Sequence, residues 1–458
     1  MPEQTKAKNF EELDASKLSI GMFNEDLCTR CGTCGGACPE AAISYNKAFY
    51  PNVNPSKCTE CGLCNKVCPG DKVSYGDLAK LTFNAEETYP GFDGHIEKTY
   101  VGYCTDEGIR GKGAGGGIIT GLLWDLLKHG EVDGCIVTRM NPDRPWEGEY
   151  FIARTYEELR QSQGSKYLII PMNHILQEIR DLPGTYAYAA LPCQVHGFRM
   201  LAAEDPVIAE KIHCVIGLFC GGSLEPYLVP EILRTKGLKP EDIADFEFRG
   251  GEWPGKLRAI RKDGTIRDMH NYYYNDGAYN YLTHLYAPKR CQTCLDGSGQ
   301  FSDVSVSDAW TRDDDGNYLF EAQSRMLMRT QRGIELVERA IERGSIKATD
   351  VSDDPSYRTH KMQTKRKGSG APIRIDRWRT RGIAVPEYDV EFEPFTLREK
   401  MNERTSAFFL WCGRYKVIRY PLLKFLTSPA SIPIIKVRRM IKKRKYAKRK
   451  KARQRASG

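Results

Sequence analysis

Apolar residues recur at helical spacing over Ile118–Lys128, and a short continuous apolar run then follows at Gly134-Cys135-Ile136-Val137-Thr138. The first pattern predicts an amphipathic helix and the second a buried strand. The alternation continues with a strand at Tyr186–Leu191, a helix at Val195–Ala203 and a strand at His213–Phe219. Strands separated by crossover helices predict an α/β sheet. Beyond about Ala287 the pattern thins to a strand at Val304-Ser305-Val306 and a helix at Arg332–Arg343. Residues 360–390, with Lys365-Arg366-Lys367-Gly368-Ser369-Gly370, read as an irregular, basic surface segment. From Phe408 to Val437 apolar clusters such as Phe408-Phe409-Leu410-Trp411 alternate with single cations.

The first 70 residues follow another logic. Two copies of one phrase stand there, Cys28-x2-Cys31-x2-Cys34-x3-Cys38-Pro39 and Cys58-x2-Cys61-x2-Cys64-x3-Cys68-Pro69. In C-x2-C-x2-C a tight loop wraps three thiolates around one face of a 4Fe-4S cubane, and the fourth cysteine reaches across to the other cluster. Cys28, Cys31, Cys34 and Cys68 are thus expected to hold one cluster, and Cys58, Cys61, Cys64 and Cys38 the second. Gly32, Gly35, Gly36 and Gly62 suit loops that bring amides close to cluster sulfur. Zinc sites usually gather cysteines in separated pairs, and neither zinc nor disulfides call for the full duplication. The phrase is the bacterial ferredoxin signature, and it predicts a protein that moves electrons.

Length and charge refine the picture. The 458 residues carry sixteen cysteines, and residues 1–20 are polar, without the apolar stretch of a signal peptide. The expected compartment is a reducing cytoplasm. No run of ~18 apolar residues predicts a membrane span. From Lys436 to Gly458 there are thirteen Lys and Arg and no Asp or Glu. The rest has 68 − 13 = 55 basic against 59 acidic residues, or −4, so the tail alone makes the chain basic. The expected organisation is a leader at 1–20, a ferredoxin-like module of two 4Fe-4S clusters at 21–80, a larger α/β domain at 90–385, and a basic C-terminal extension at 386–458.

Four further cysteines gather at strand ends. Cys193 and Cys220 each follow a predicted strand, and residues just past the carboxyl ends of parallel strands converge on one crevice. Cys291-x2-Cys294 completes a four-thiolate set, which spacing alone leaves open between iron–sulfur and zinc. Gly113–Thr120, with Gly115, Gly116, Gly117 and Thr120, is the candidate phosphate cradle, or else a flexible turn. Ser165, Lys166 and Tyr167 offer a hydroxyl, a charge and a ring. His196 beside Cys193 reads as a structural histidine. Tyr272-Tyr273-Tyr274, Tyr279, Tyr281 and Tyr286 either line a stacking pocket or pack a sheet.

Leu191-Pro192-Cys193-Gln194, the glycine run before Ile118, Gly164-Ser165-Lys166-Tyr167, Phe219-Cys220-Gly221-Gly222 and Cys291-x2-Cys294-x-Asp296 together resemble the coenzyme F420 hydrogenase/dehydrogenase beta-subunit family. The similarity covers roughly residues 15–385, with the ferredoxin module joined as in the family's F420-oxidising dehydrogenase branch. Ser307-Asp308 departs from the Gly-Asp usual in the family. The resemblance implies a flavoprotein binding FAD and coenzyme F420, with Gly115, Gly116, Gly117, Thr120, Ser165, Lys166, Tyr167, Pro192 and Gln194 near the flavin. It also implies a third 4Fe-4S cluster on Cys193, Cys220, Cys291 and Cys294.

The expected activity is oxidation of reduced coenzyme F420 by hydride transfer to FAD, with single electrons leaving through the clusters to a partner or quinone-type acceptor. Alternatives are a ferredoxin-dependent reductase of F420 or of a pigment-like substrate, and an electron-transfer subunit without its own substrate site. Arg199, Lys256 and Arg258 are loose candidates for the acidic phosphate and glutamate tail of F420. Expected partners are the coenzyme and an electron-accepting protein, in the first place a membrane-bound respiratory complex. Aromatics beside the basic tail suit peripheral contact with an anionic membrane, a docking surface on such a complex, or a solubilising tail. Nucleic acid is not an expected partner.

Overall fold

A computed structural model describes residues 24–85, 91–270, 278–313, 315–358 and 364–456. The leader at 1–20 and Tyr272-Tyr273-Tyr274 lie outside the described residues. Eight strands form one mixed sheet: β1 Lys98–Cys104, β2 Gly134–Met140, β3 Gly148–Ala153, β4 Tyr186–Ala190, β5 Ile212–Leu218, β6 Val304–Asp308, β7 Ser324–Met328 and β8 Ile346–Asp350. Their order across the sheet is β8-β1-β7-β6-β5-β4-β2-β3. The central β6, β5, β4 and β2 run parallel. The flanking strands on both sides pair antiparallel.

The parallel centre follows from composition. Tyr186-Ala187-Tyr188 and Cys214-Val215-Ile216 are buried throughout, as strands covered on both faces must be. On one face lie α1 (Ile118–Lys128) and α3 (Gln331–Glu342), whose Leu122, Leu126 and Val337 are fully buried against Val137, Ile216 and Met326. Each such side chain contributes about 1.5–3 kcal/mol of burial. On the other face lies α2 (Pro192–Glu204), begun by Pro192, whose missing N–H costs nothing in the first turn.

The second face is shared with the cysteine-rich module. Ala37, Val67 and Leu78 of that module pack in one core with Val195 and Phe198 of α2 and with Tyr188 of β4. Docking is close enough to exclude side chains: a Cβ on Gly197 would stand 2.1 Å from the Thr33 hydroxyl. Arg30 donates to both carboxylate oxygens of Glu225 at 2.8 and 2.9 Å. Arg290 donates to the carbonyls of Gly70 and Pro69 at 2.6 and 3.0 Å. Asn173 donates through its main chain to Cys31 and through its side chain to Thr33. Lys72-Val73 pairs with Glu387-Tyr388, and Asp389 accepts from the amides of Tyr75 and Gly76 and from the Ser74 hydroxyl.

One expectation about the later chain needs correction. Residues 364–370 form a wide helical turn running into the helix Ala371–Arg379, and their basic run is not simply a surface segment. Lys367 and Arg374 are buried, and Arg374 donates to both oxygens of Glu403 at 2.9 and 2.5 Å. The C-terminal extension is helical: α4 (Leu397–Arg414), α5 (Lys416–Thr427) and α6 (Ile432–Ala456). Arg419 of α5 holds it to the body by donating to both oxygens of Glu231. No helix of the described residues is long and apolar enough to cross a membrane.

Candidate functional site

The duplicated cysteine phrases build two matching loops. Arg30 and Glu60, each two residues after the first cysteine of its phrase, have φ of 56° and 54°, and Gly32 and Gly62 have φ of 93° and 75°. These left-handed residues turn each loop so that its amides face the thiols. Cys28, Cys31, Cys34 and Cys68 line one cavity of about 520 Å³, with Cys58 at its wall. Cys38, Cys58, Cys61 and Cys64 line a second, much smaller one. The fourth cysteine of each phrase thus joins the other phrase's first three.

Near Cys28, the Arg30 amide donates to its sulfur at 3.4 Å, and the Ala42 amide donates to Cys38 at 3.3 Å. Burial pushes the Cys28 thiol up to about 11. Burial likewise raises Cys34 and Cys68, and a positively charged core bound there would favour their thiolates. No group of three or more His, Cys, Asp or Glu side chains among the described residues is gathered to hold a single metal ion.

A third quartet lies at the strand ends. Cys193 opens α2, Cys220 follows β5, Cys291 sits in the short helix Lys289–Gln292 and Cys294 comes just after it. Cys193 interacts electrostatically with Cys220, Cys291 and Cys294, so the four face one another. Burial pushes Cys220 up to about 12. Around the quartet, Cys294 donates to the Asp296 carbonyl at 3.2 Å, and His196 Nε2 pairs with Asp296 at 2.9 Å. Asp296 also accepts from the amides of Ser298, Gly299 and Gln300, which makes His196 a structural residue. Lys367 Nζ donates to the Cys291 carbonyl at 3.3 Å. Burial works against the charge of Lys367, and the facing thiols Cys294, Cys220 and Cys291 outweigh it. Among the charges acting on Cys193, that of Cys31 comes first, and Tyr188 lies within electrostatic reach of both.

Beside this quartet a cavity of about 260 Å³ opens at the carboxyl ends of the parallel strands, where open α/β sheets bind ligands. Val137 and Thr138 of β2, Ala189 of β4, Leu218 of β5 and Val306 of β6 form its floor, and Cys220 belongs to its wall. Gly115, Gly117, Thr120, Ser165, Lys166, Tyr167 and Gln194 line it, whereas Gly116 and Pro192 do not. Gly116 instead ties the loop down: its amide donates to Ser324 Oγ at 2.9 Å, its carbonyl accepts from Cys104, and a Cβ there would stand 2.5 Å from the Gly102 carbonyl. Gly117, at φ 72°, starts α1 without a side-chain cap, so the first amides of an eleven-residue helix border the cavity.

Several candidates are occupied by structural bonds. Lys166 Nζ donates to the carbonyls of Ser162, Gln163 and Gly164 at 2.6, 3.2 and 2.8 Å and shapes its own loop. Both ends of the Gln194 amide bind main chain, at Leu191 and Ile170. Arg199 binds Phe301 and Asp303, while Lys256 and Arg258 pair with Asp268 on a small separate sheet. None of these three reaches the cavity. Tyr286 is core, donating to Glu231 at 2.7 Å, and the Tyr279 side chain lies outside the described residues.

Three lining residues escaped the sequence reading. Asp308 accepts from Arg249 at 2.7 Å through Oδ2, while its buried Oδ1 finds no hydrogen-bond partner among the described residues and faces Gly115. Trp310 stacks on Trp253 with centroids 5.4 Å apart. The Ser307-Asp308 departure from family pattern was the available signal.

Comparisons with known proteins agree with this layout. Residues 99–177 match the family model for the N-terminal part of the coenzyme F420 hydrogenase/dehydrogenase beta subunit, and residues 184–354 the model for its C terminus. Residues 27–72 match a 4Fe-4S dicluster domain. A subunit of the F(420)H(2) dehydrogenase of Methanosarcina mazei is 27% identical over 342 residues, covering 70% of this chain and 90% of that protein. The coenzyme F420-dependent sulfite reductase of Methanocaldococcus jannaschii is 26% identical over 335 residues, 70% of this chain but only 47% of that protein. The beta subunit of the coenzyme F420 hydrogenase of Methanothermobacter thermautotrophicus is 26% identical over 257 residues, 54% of this chain and 83% of that protein. A chain of the F420-reducing NiFe hydrogenase complex from Methanosarcina barkeri shares the fold, with a TM-score of 0.51 at 21% identity over 65% of this chain and 97% of that one.

Proposed function

Because the chain belongs to the coenzyme F420 hydrogenase/dehydrogenase beta-subunit family, we propose that it oxidises reduced coenzyme F420 at a flavin held in the strand-end cavity and sends the electrons singly through three 4Fe-4S sites. The observation that carries this reading is continuity. Cys220 is both cavity wall and quartet member, and Cys193 of the same quartet lies within electrostatic reach of Cys31 of the cysteine-rich module. A path thus runs from cavity to third quartet to the Cys28–Cys68 group and on to the Cys38–Cys64 group. When bound, a flavin supplies the conversion of a two-electron hydride into single electrons.

The chain's own residues position and insulate. The uncapped amides at the start of α1 suit a phosphate of FAD, and Gly115 leaves room beside them. The free Oδ1 of Asp308 faces the cavity as an acceptor for a ring or sugar donor, held in place by Arg249. Val137, Leu191 and Leu218 keep the floor apolar, which keeps water from the reacting face. No side-chain acid or base is needed for hydride transfer.

The acceptor is proposed to be a partner subunit of a membrane-bound respiratory complex ending in a quinone-type carrier, in line with relatives that are themselves named as subunits. The exposed aromatics of α4 and the cations of α6 are proposed to rest on the membrane surface beside it. The test is anaerobic purification followed by mixing with reduced coenzyme F420 and an artificial one-electron acceptor. Oxidised coenzyme should appear, with one flavin and about twelve irons per chain from three cubanes. Reaction with reduced ferredoxin but not with the reduced coenzyme would turn the reading to a reductase.

A further inference from the structure

Lys367 comes from beyond the region matched to the family, which ends at residue 354. Its side chain runs inward from the turn at 364–370 and is 3% exposed. Its stem packs so closely that a Cβ on Gly297 would stand 3.0 Å from its Cγ. Its Nζ reaches the Cys291 carbonyl at 3.3 Å and the Cys294 side chain. No carboxylate lies within ion-pair distance of it among the described residues: Glu403 is taken by Arg374 and Arg377, and Asp296 by His196. Two further cations lie within electrostatic reach of the quartet: Arg30 is neutralised by its two bonds to Glu225, and the Arg290 guanidinium is turned to the carbonyls of Gly70 and Pro69 and the Tyr388 hydroxyl.

An ammonium buried without a counter-ion costs several kcal/mol. Among the described residues, the source of negative charge beside Lys367 is the thiolate quartet. We propose that Lys367 is the charge partner of the 4Fe-4S cluster carried by Cys193, Cys220, Cys291 and Cys294, and that it raises the reduction potential of that cluster above the value the thiolates alone would give. The inference rests on the three-cluster reading above. On reduction one electron arrives from the flavin and the cluster with its four thiolates passes from −2 to −3, with no bond made or broken and no proton moved. A fixed cation in a dry site stabilises the −3 state more than the −2 state. The third quartet thereby becomes the favoured first acceptor next to the cavity.

The test is an anaerobic redox titration of the full chain followed by EPR, comparing wild type with Lys367→Met and Lys367→Arg. The third-site signal is identified as the one lost in Cys294→Ser. In Lys367→Met the reduction equilibrium constant of that signal should fall at least about tenfold, which is about 59 mV for one electron. The other two signals should hold their potentials, and Lys367→Arg should stay near wild type. An unshifted third signal in Lys367→Met overturns the inference, as does an equal shift of all three. Loss of the signal in the Met variant with retention in the Arg variant would make the lysine an assembly residue and also overturn it. Wild-type chain with about eight irons and no third signal would instead bring down the three-cluster reading itself.

Discussion

Arg30 and Glu225 form a buried two-pronged ion pair, with the Arg30 side chain 1% exposed and the Glu225 side chain 16%. The pair joins the first cysteine loop to the segment just after Cys220, so it fixes the spacing between two thiol groups. Removing one member of a buried pair leaves an uncompensated charge, at a cost of about 3–5 kcal/mol. Glu225→Ala should lower thermal stability by that order, with slower electron passage from flavin to the cysteine-rich module. Differential scanning calorimetry and rapid-mixing reduction of the clusters check the two effects.

Exchange of the fourth cysteines makes a sharper prediction. Cys68→Ser should disturb the cluster of Cys28, Cys31 and Cys34, not the one nearest in sequence. Cys38→Ser should disturb that of Cys58, Cys61 and Cys64. Each variant should lose up to about four irons, and EPR should show different surviving signals in the two. Identical surviving signals would contradict the crossed arrangement.

Gly116→Ala adds a methyl 2.5 Å from the Gly102 carbonyl and 2.9 Å from the Ser324 amide. Backbone stands on both sides, so the glycine loop must move. Bound flavin per chain should fall severalfold while iron stays constant. Loss of iron together with flavin would mean that the whole sheet, not the cradle, had given way.

Phe408 and Trp411 of α4 and Tyr415 just past its end are 59%, 47% and 48% exposed. No acidic residue follows Glu403 in the sequence. The chain should co-sediment with anionic vesicles and not with neutral ones. Lys436, Arg438 and Arg444 are exposed, and changing all three to Gln should weaken binding on the order of a hundredfold, at about 1 kcal/mol for each cation. No binding to either kind of vesicle would leave a solubilising tail.

His284 gives a pH signature to the packing of α4. Its Nδ1 pairs with the Asn280 carbonyl at 2.6 Å, and its Nε2 with Ser406 Oγ at 3.1 Å. Burial, helped by the charges of Arg366 and Arg374, pushes its pKa from 6.5 down to about 4. The unfolded chain takes up a proton at the higher value, so the stability held here is fully present above pH 6.5 and is lost as pH falls towards 4. Thermal melts across that window should decline with acidification, and His284→Gln should flatten the decline.

Legibility tracked how local each signal was. The dicluster module was readable because its loop spacing is short-range, and α1 matched its predicted ends because its apolar stripe starts and stops cleanly. β7 was missed: Ser324-Arg325-Met326-Leu327-Met328 is buried throughout, with an arginine inside it, and breaks both simple periods. Asp308 and Arg249 were missed because their pairing joins different sheets across 59 positions. Lys367 was misread because Lys365-Arg366-Lys367 looks solvated, and only tertiary packing turns one member of that run inward.

Asp389 caps the helix Tyr75–Phe83 from 314 positions away, and Glu387-Tyr388 is the strand partner of Lys72-Val73. On a ribosome adding about 5–20 residues per second, that far segment emerges tens of seconds after the cysteine-rich module it pairs with. The last strand pairing and helix cap of the cysteine-rich module are thus completed only after residues 387–389 have emerged.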